Sequence, residues 1–135
     1  MQEFRDYSIY EAGAAGSEMG KLTTHVLDTA AGVPGQDIKI ELFSVADGQS
    51  TLLKTVRTNP DGRCDQPLLE GAELEVGQYE LVFHAGDYFA ARGVSLPEPR
   101  FLDDIVLRFG VPDAGEHYHV PLLVSPYSYS TYRGS

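Results

Sequence analysis

From Lys21 to Ser135 the chain runs in short stretches of alternating apolar and polar residues, broken by turn residues. Leu22, Thr24 and Val26 share one face of the first stretch, with Thr23, His25 and Leu27 on the other. Ile38, Ile40 and Leu42 alternate with Asp37, Lys39 and Glu41, and the pattern returns at Tyr79-Leu81-Phe83 and Ile105-Leu107-Phe109. A strand-like run leads from Leu53 to Thr58. Turns are signalled at Gly32-Val33-Pro34-Gly35, Asp47-Gly48 and Asn59-Pro60-Asp61-Gly62. This spacing predicts an all-β, antiparallel β-sandwich or barrel of about eight strands. Asp87 to Gly93 predicts one short helix, with Asp87 as N-cap and Gly93 as its stop. Leu96-Pro97-Glu98-Pro99 breaks regular structure, and two further strands are expected in the last twenty residues.

Residues 1–20 do not share the alternation. Gly13-Ala14-Ala15-Gly16-Ser17 is small and flexible, so 1–20 is expected to be a flexible extension on a folded domain of residues 21–135. A body of this size can bury a core without staples. Cys64 is the sole cysteine, which excludes an intrachain disulfide and fits a reducing, cytoplasmic setting. With 20 acidic against 10 basic residues the formal charge is −10. That balance disfavours nucleic acid and anionic membranes, and any anionic substrate needs local arginines. No apolar run reaches membrane-spanning or signal-peptide length.

The candidate chemistry gathers at three places. His25 sits mid-strand on the face away from the core, where most polar residues are only solvated. His117 and His119 share a face of the run Glu116-His117-Tyr118-His119-Val120-Pro121-Leu122-Leu123. Such a pair can hold a metal, but no third ligand is evident, so acid–base or substrate-binding roles are preferred and no metal or cofactor is expected. Pro121 cannot donate to a ladder and marks relaxed pairing with a neighbouring strand. Arg57 and Arg63 flank the Asn59–Gly62 turn, and either could clamp a carboxylate or an anionic ring, although for each alone a surface arginine paired with Asp61 or Asp65 is preferred. A bystander role is preferred for Cys64, and the serines lack the Gly-x-Ser-x-Gly elbow of a nucleophile.

Three segments together carry a resemblance. Leu22-Thr23-Thr24-His25-Val26-Leu27-Asp28-Thr29-Ala30, Arg57-Thr58-Asn59-Pro60-Asp61-Gly62-Arg63, and Tyr118-His119-Val120-Pro121-Leu122-Leu123 through Tyr132-Arg133-Gly134-Ser135 closely resemble the 5-hydroxyisourate hydrolases, the transthyretin-related enzymes of urate breakdown. The resemblance spans residues 21–135. It implies a transthyretin-like (prealbumin-like) sandwich, a homotetramer with its site in a central channel, and a small purine-derived substrate. The implied reaction opens the ring of 5-hydroxyisourate to 2-oxo-4-hydroxy-4-carboxy-5-ureidoimidazoline by histidine-assisted attack of water on a cyclic amide. On this resemblance His25, Arg63 and His119 are the expected catalytic residues, and His25, Arg63, Tyr132 and Ser135 the expected substrate contacts. Tyr132 is expected to reach the same channel as His25. Two alternatives stay open: a transthyretin-like carrier of a small ligand, and an immunoglobulin-like structural domain acting through its loops.

Overall fold

A computed structural model of the chain describes residues 20–135. The extension expected over 1–20 therefore lies outside the described residues, apart from Gly20, whose carbonyl accepts the Gly71 N–H. The strands are β1 (Lys21–Asp28), β2 (Val33–Pro34), β3 (Lys39–Ala46), β4 (Gln49–Arg57), β5 (Leu69–Glu70), β6 (Gly77–His84), β7 (Asp104–Val111), β8 (His117–Val124) and β9 (Tyr129–Ser130), with a helix α1 (Ala85–Ala91) between β6 and β7. One sheet runs β2-β1-β8-β9, with β5 also pairing β1, and the other runs β4-β3-β6-β7.

The alternation does what it predicts. Leu22, Val26, Ile40, Leu42, Leu81, Phe83 and Leu122 are fully buried, closing the space between the two sheets. The outer-face partners Thr23, His25, Leu27, His119 and Leu123 are half-buried. Burying one face of each strand fixes its register, since a slip of one residue would send His25 and His119 into the core. Asp47 and Gly48, with φ of 53° and 74°, form the tight β3–β4 turn expected of that pair.

Two features depart from the sequence expectation. Pairing is antiparallel throughout the described residues except between β1 and β8, which run parallel, with Thr23 opposite His119 and His25 opposite Pro121. The first strand and the last long strand of the folded body thus lie side by side, and their outer-face side chains share one surface. The helix begins three residues earlier than the Asp87 cap implies: His84 is its N-cap, and Asp87 lies within the first turn. Asp87 is drawn instead to Arg100, whose Nη1 donates to it at 2.7 Å. Gly93, at φ 85°, does follow the helix as expected. The helix is tied to the end of β1 by Tyr88, whose hydroxyl donates to the buried Asp28 carboxylate at 2.9 Å. Burial and that carboxylate push the Tyr88 phenol up to about 12.

Candidate active site

The site is built where the loop after β4 folds back against β1. Thr58 anchors the start of that loop from a buried position: its hydroxyl donates to Gly35 C=O at 2.6 Å and accepts the Ile38 N–H at 2.9 Å. Asn59 then shapes the turn, its side-chain oxygen accepting the N–H groups of Asp61 and Arg63 at 2.9 and 3.1 Å. Gly62 lies against β1, accepting the Val26 N–H at 2.8 Å. Its φ is 76°, and a Cβ there would stand 2.4 Å from the Val26 carbonyl oxygen, so only glycine fits. This approach pairs Arg63 with His25 in an antiparallel bridge.

The loop also orients His25. Its Nε2 lies 3.0 Å from the Asp61 carbonyl oxygen. A carbonyl only accepts, so Nε2 carries the proton and the neutral ring has its lone pair on Nδ1. His119, on the adjacent strand, lies with its ring centroid 6.5 Å from that of His25. Its Nδ1 is 2.8 Å from the Thr23 hydroxyl, and the same oxygen is 2.9 Å from Nε2 of His117. Gly134 backs the ring: it exchanges both backbone hydrogen bonds with His119, and a Cβ there would lie 3.1 Å from His119 Cβ.

Thr23, Arg63, Cys64, Asp65, His117, His119 and Ser135 are among the residues lining an open pocket of ≈ 350 Å³. Both site imidazoles favour the neutral form. Partial burial, then Arg63, holds His25 below the ordinary histidine value of 6.5, against a smaller opposing pull from Asp61. Partial burial, then Arg63, His25 and His117, does the same to His119. Burial, then Asp65, pushes the Cys64 thiol up to about 11, so it is a poor nucleophile, in keeping with the bystander reading. Arg63, His119 and Ser135 are thus brought together around one pocket; His25 does not line it but is bridged to Arg63, with its ring 6.5 Å from that of His119.

Tyr132 is not brought there within the single chain. It lines a separate cleft, beside Val106, Phe109, Tyr118 and Tyr129, at the open edge of the sandwich. The cause lies in Pro121. The β8–β9 register, carried on to the His119–Gly134 bridge, sets Tyr132 opposite Pro121 at a position where a backbone N–H should be donated. Proline has none, the ladder breaks, and the Thr131 hydroxyl takes the Pro121 carbonyl instead at 2.7 Å. The relaxed pairing expected at Pro121 is therefore present, and it turns Tyr132 away from the path that strand alternation implies. Arg57 is also elsewhere: its guanidinium donates to Asp37, not to a group in this pocket. Thr23 was missed in the sequence. A threonine on the outer face of a strand is common, and only the parallel β1–β8 register shows that it lies between two histidines. Among the described residues, no group of three or more His, Cys, Asp or Glu side chains is placed to hold a metal ion.

A two-sheet sandwich carrying imidazoles on one outer sheet face, with an arginine-bearing loop bridged to that face, defines the class of protein. The chain belongs to the HIUase/Transthyretin family, whose model matches residues 22–134. It is 68% identical over 117 residues, 87% of this chain and 100% of the relative, to a 5-hydroxyisourate hydrolase of Ralstonia nicotianae. Among solved structures it resembles an (S)-allantoin synthase, with TM-score 0.82 and 49% identity over 86% of this chain, and it spans only 44% of that longer chain. It also resembles the 5-hydroxyisourate hydrolase of Klebsiella pneumoniae, with TM-score 0.70 and 31% identity, covering 87% of this chain and 100% of that one.

Proposed function

We propose that this chain hydrolyses 5-hydroxyisourate, opening its six-membered ring at an amide-like C–N bond with water as the nucleophile. The observation that carries the reading is the pair of neutral-leaning imidazoles, 6.5 Å apart, with Arg63 bridged to one and lining the pocket of the other. Water is a weak nucleophile and needs a base as it attacks; an imidazole that stays unprotonated near neutrality suits the task. We assign the base to His119 Nε2, because Nδ1 is taken by Thr23 and the ring lines the pocket. Arg63 is the donor for the oxygen that gains charge as the carbonyl becomes tetrahedral. His25, with Nδ1 free to accept, holds a donor group of the substrate or passes a proton to the departing nitrogen. Ser135, which lines the same pocket, is a further substrate contact. A carrier of the same fold needs no such acid–base pair, so this geometry favours catalysis over storage.

The assembly we propose is a homotetramer. Among the described residues β7 and β9 each have a sheet partner on one side only, and Val106, Tyr129 and Tyr132 are exposed along that edge. An edge of unpaired backbone and apolar side chains is suited to pairing with a second copy. Leu27 and Leu123, half-buried on the face that carries the histidines, supply a second contact. In such an assembly Tyr132, exposed at that edge, would lie against a second copy. Among the described residues no helix is long and apolar enough to cross a membrane, and we place the enzyme in the cytoplasm. The test is the ultraviolet decay of freshly generated 5-hydroxyisourate: the purified chain should accelerate it, and Arg63→Ala and His119→Ala should abolish most of that acceleration while remaining folded.

A further inference from the structure

The Thr23 hydroxyl has a single proton and sits between two imidazole nitrogens, Nδ1 of His119 at 2.8 Å and Nε2 of His117 at 2.9 Å. It can give that proton to only one of them, so it must accept from the other. The protonation states of the two rings are therefore coupled. If Thr23 donates to His119, the outer nitrogen of His119 carries a proton and cannot act as a base. If Thr23 donates to His117, Nδ1–H of His119 donates to Thr23 and Nε2 presents a lone pair to the pocket.

We propose that Thr23 and His117 form a hydroxyl-bridged relay that holds His119 as a base and drains its proton to the surface. This rests on the hydrolytic reading above and adds two positioning residues to it. In the resting state His119 is the Nδ1–H tautomer and Thr23 donates to His117. When His119 Nε2 takes a proton from the attacking water, its imidazolium passes Nδ1–H to the Thr23 oxygen, and the Thr23 proton moves to His117 Nε2. One proton leaves His119, one reaches His117, and the threonine is unchanged.

The surroundings explain the direction of transfer. An imidazolium at His119 lies beside Arg63 and His25 in a half-buried pocket, where charge is costly. His117 is exposed, so the same charge is solvated there. Other charged groups around the bridge are Lys21, opposite His117 across the β1–β8 pair, Asp65 in the loop after β4, and the Arg133–Glu116 ion pair next to His117. The parallel register places Thr23 directly opposite His119, so the bridge is held by two backbones. The proton returns along the same path, from His117 through Thr23 to Nδ1 of His119, as the departing nitrogen takes the proton of Nε2, so the ring is never left as an imidazolate.

The experiment compares wild type, Thr23→Val, Thr23→Ser and His117→Ala. Valine matches threonine in shape and suits a strand, so loss of folding is not expected, and circular dichroism checks it. Thr23→Val should lower kcat about 10- to 100-fold, part of what positioned acid–base groups supply, with KM little changed. Thr23→Ser should restore most of the rate. His117→Ala should lose rate in dilute buffer and regain it with added imidazole, whereas Thr23→Val should not respond. The bridge is also read without substrate: nitrogen NMR of the His119 ring should show Nδ1–H in wild type and Nε2–H in Thr23→Val. Wild-type kcat in both Thr23→Val and His117→Ala, or an Nε2–H ring in wild-type His119, would overturn the relay. An inactive wild-type protein would instead sink the hydrolytic reading, and the NMR result would still decide the bridge.

Discussion

Gly62→Ala should damage stability and turnover together, and the structure says by how much. At φ 76° an alanine enters the left-handed region, at a cost of roughly 1–2 kcal/mol. Its Cβ would also lie 2.4 Å from the Val26 carbonyl oxygen, which no rotamer can relieve because the clash is with backbone. The loop must retreat, and the Val26 N–H to Gly62 C=O bond, now 2.8 Å, is weakened or lost at about 1 kcal/mol. The expected loss is about 2–3 kcal/mol, a large part of a typical domain's stability but short of unfolding it. In a domain of this size that lowers the melting temperature by roughly 10 °C. Retreat also moves Asp61 off His25 and Arg63 off its bridge, so kcat should fall at least about 10-fold, the general effect of misplacing reacting groups. Gly48→Ala is the control: its φ is 74°, but nothing lies within 4 Å of the new Cβ. It should cost about 1 kcal/mol and leave turnover alone. The assays are urea or thermal melts and steady-state hydrolysis on the same preparations. A Gly62→Ala protein that melts and turns over like wild type would refute the claim that this contact positions the site.

Both site histidines are held below 6.5, so hydrolysis should persist under that pH and fail only as acid protonates His119; a rate profile whose acid limb lies above 6.5 would contradict this. The same depression makes their contribution to stability complete above 6.5 and lost progressively as pH falls below it, which melts from pH 7 to 5 can measure. Cys64, pushed up to about 11, should resist iodoacetamide at pH 8 in the folded protein and react fast once unfolded. Truncation after Thr131 should leave a folded oligomer with little activity, because it removes Gly134 from behind His119 and Ser135 from the pocket, while Tyr132→Phe should lose less. Prolonged chelation should leave the rate unchanged; loss restored by zinc would show that the His117–His119 pair holds a required metal.

Most of the fold could be read from the chain because strand alternation is a local signal and burial enforces it: Leu22, Ile40 and Leu81 had to face inward, which left His25 and His119 outside. The turn at Asn59–Gly62 was legible for the same reason, since proline and glycine in that order leave few conformations. What the alternation could not supply was pairing. Nothing local distinguishes a parallel β1–β8 neighbour from an antiparallel one, so the contact of Thr23 with both histidines was invisible. Tyr132 is displaced within the single chain for a different reason. Its face was read from an unbroken strand, while Pro121, across the ladder, interrupts that strand at Tyr132. The Asp87 cap was misplaced because Arg100, distant in sequence, competes for its carboxylate.

The central claim is that neutral His119, beside Arg63, activates water against 5-hydroxyisourate. Generating that compound freshly and following its ultraviolet decay with wild type, Arg63→Ala and His119→Ala tests it directly. The account predicts rapid decay with wild type and a rate near the uncatalysed one with either folded variant. Decay with folded His119→Ala as fast as with wild type, or no acceleration by wild type at all, would contradict it.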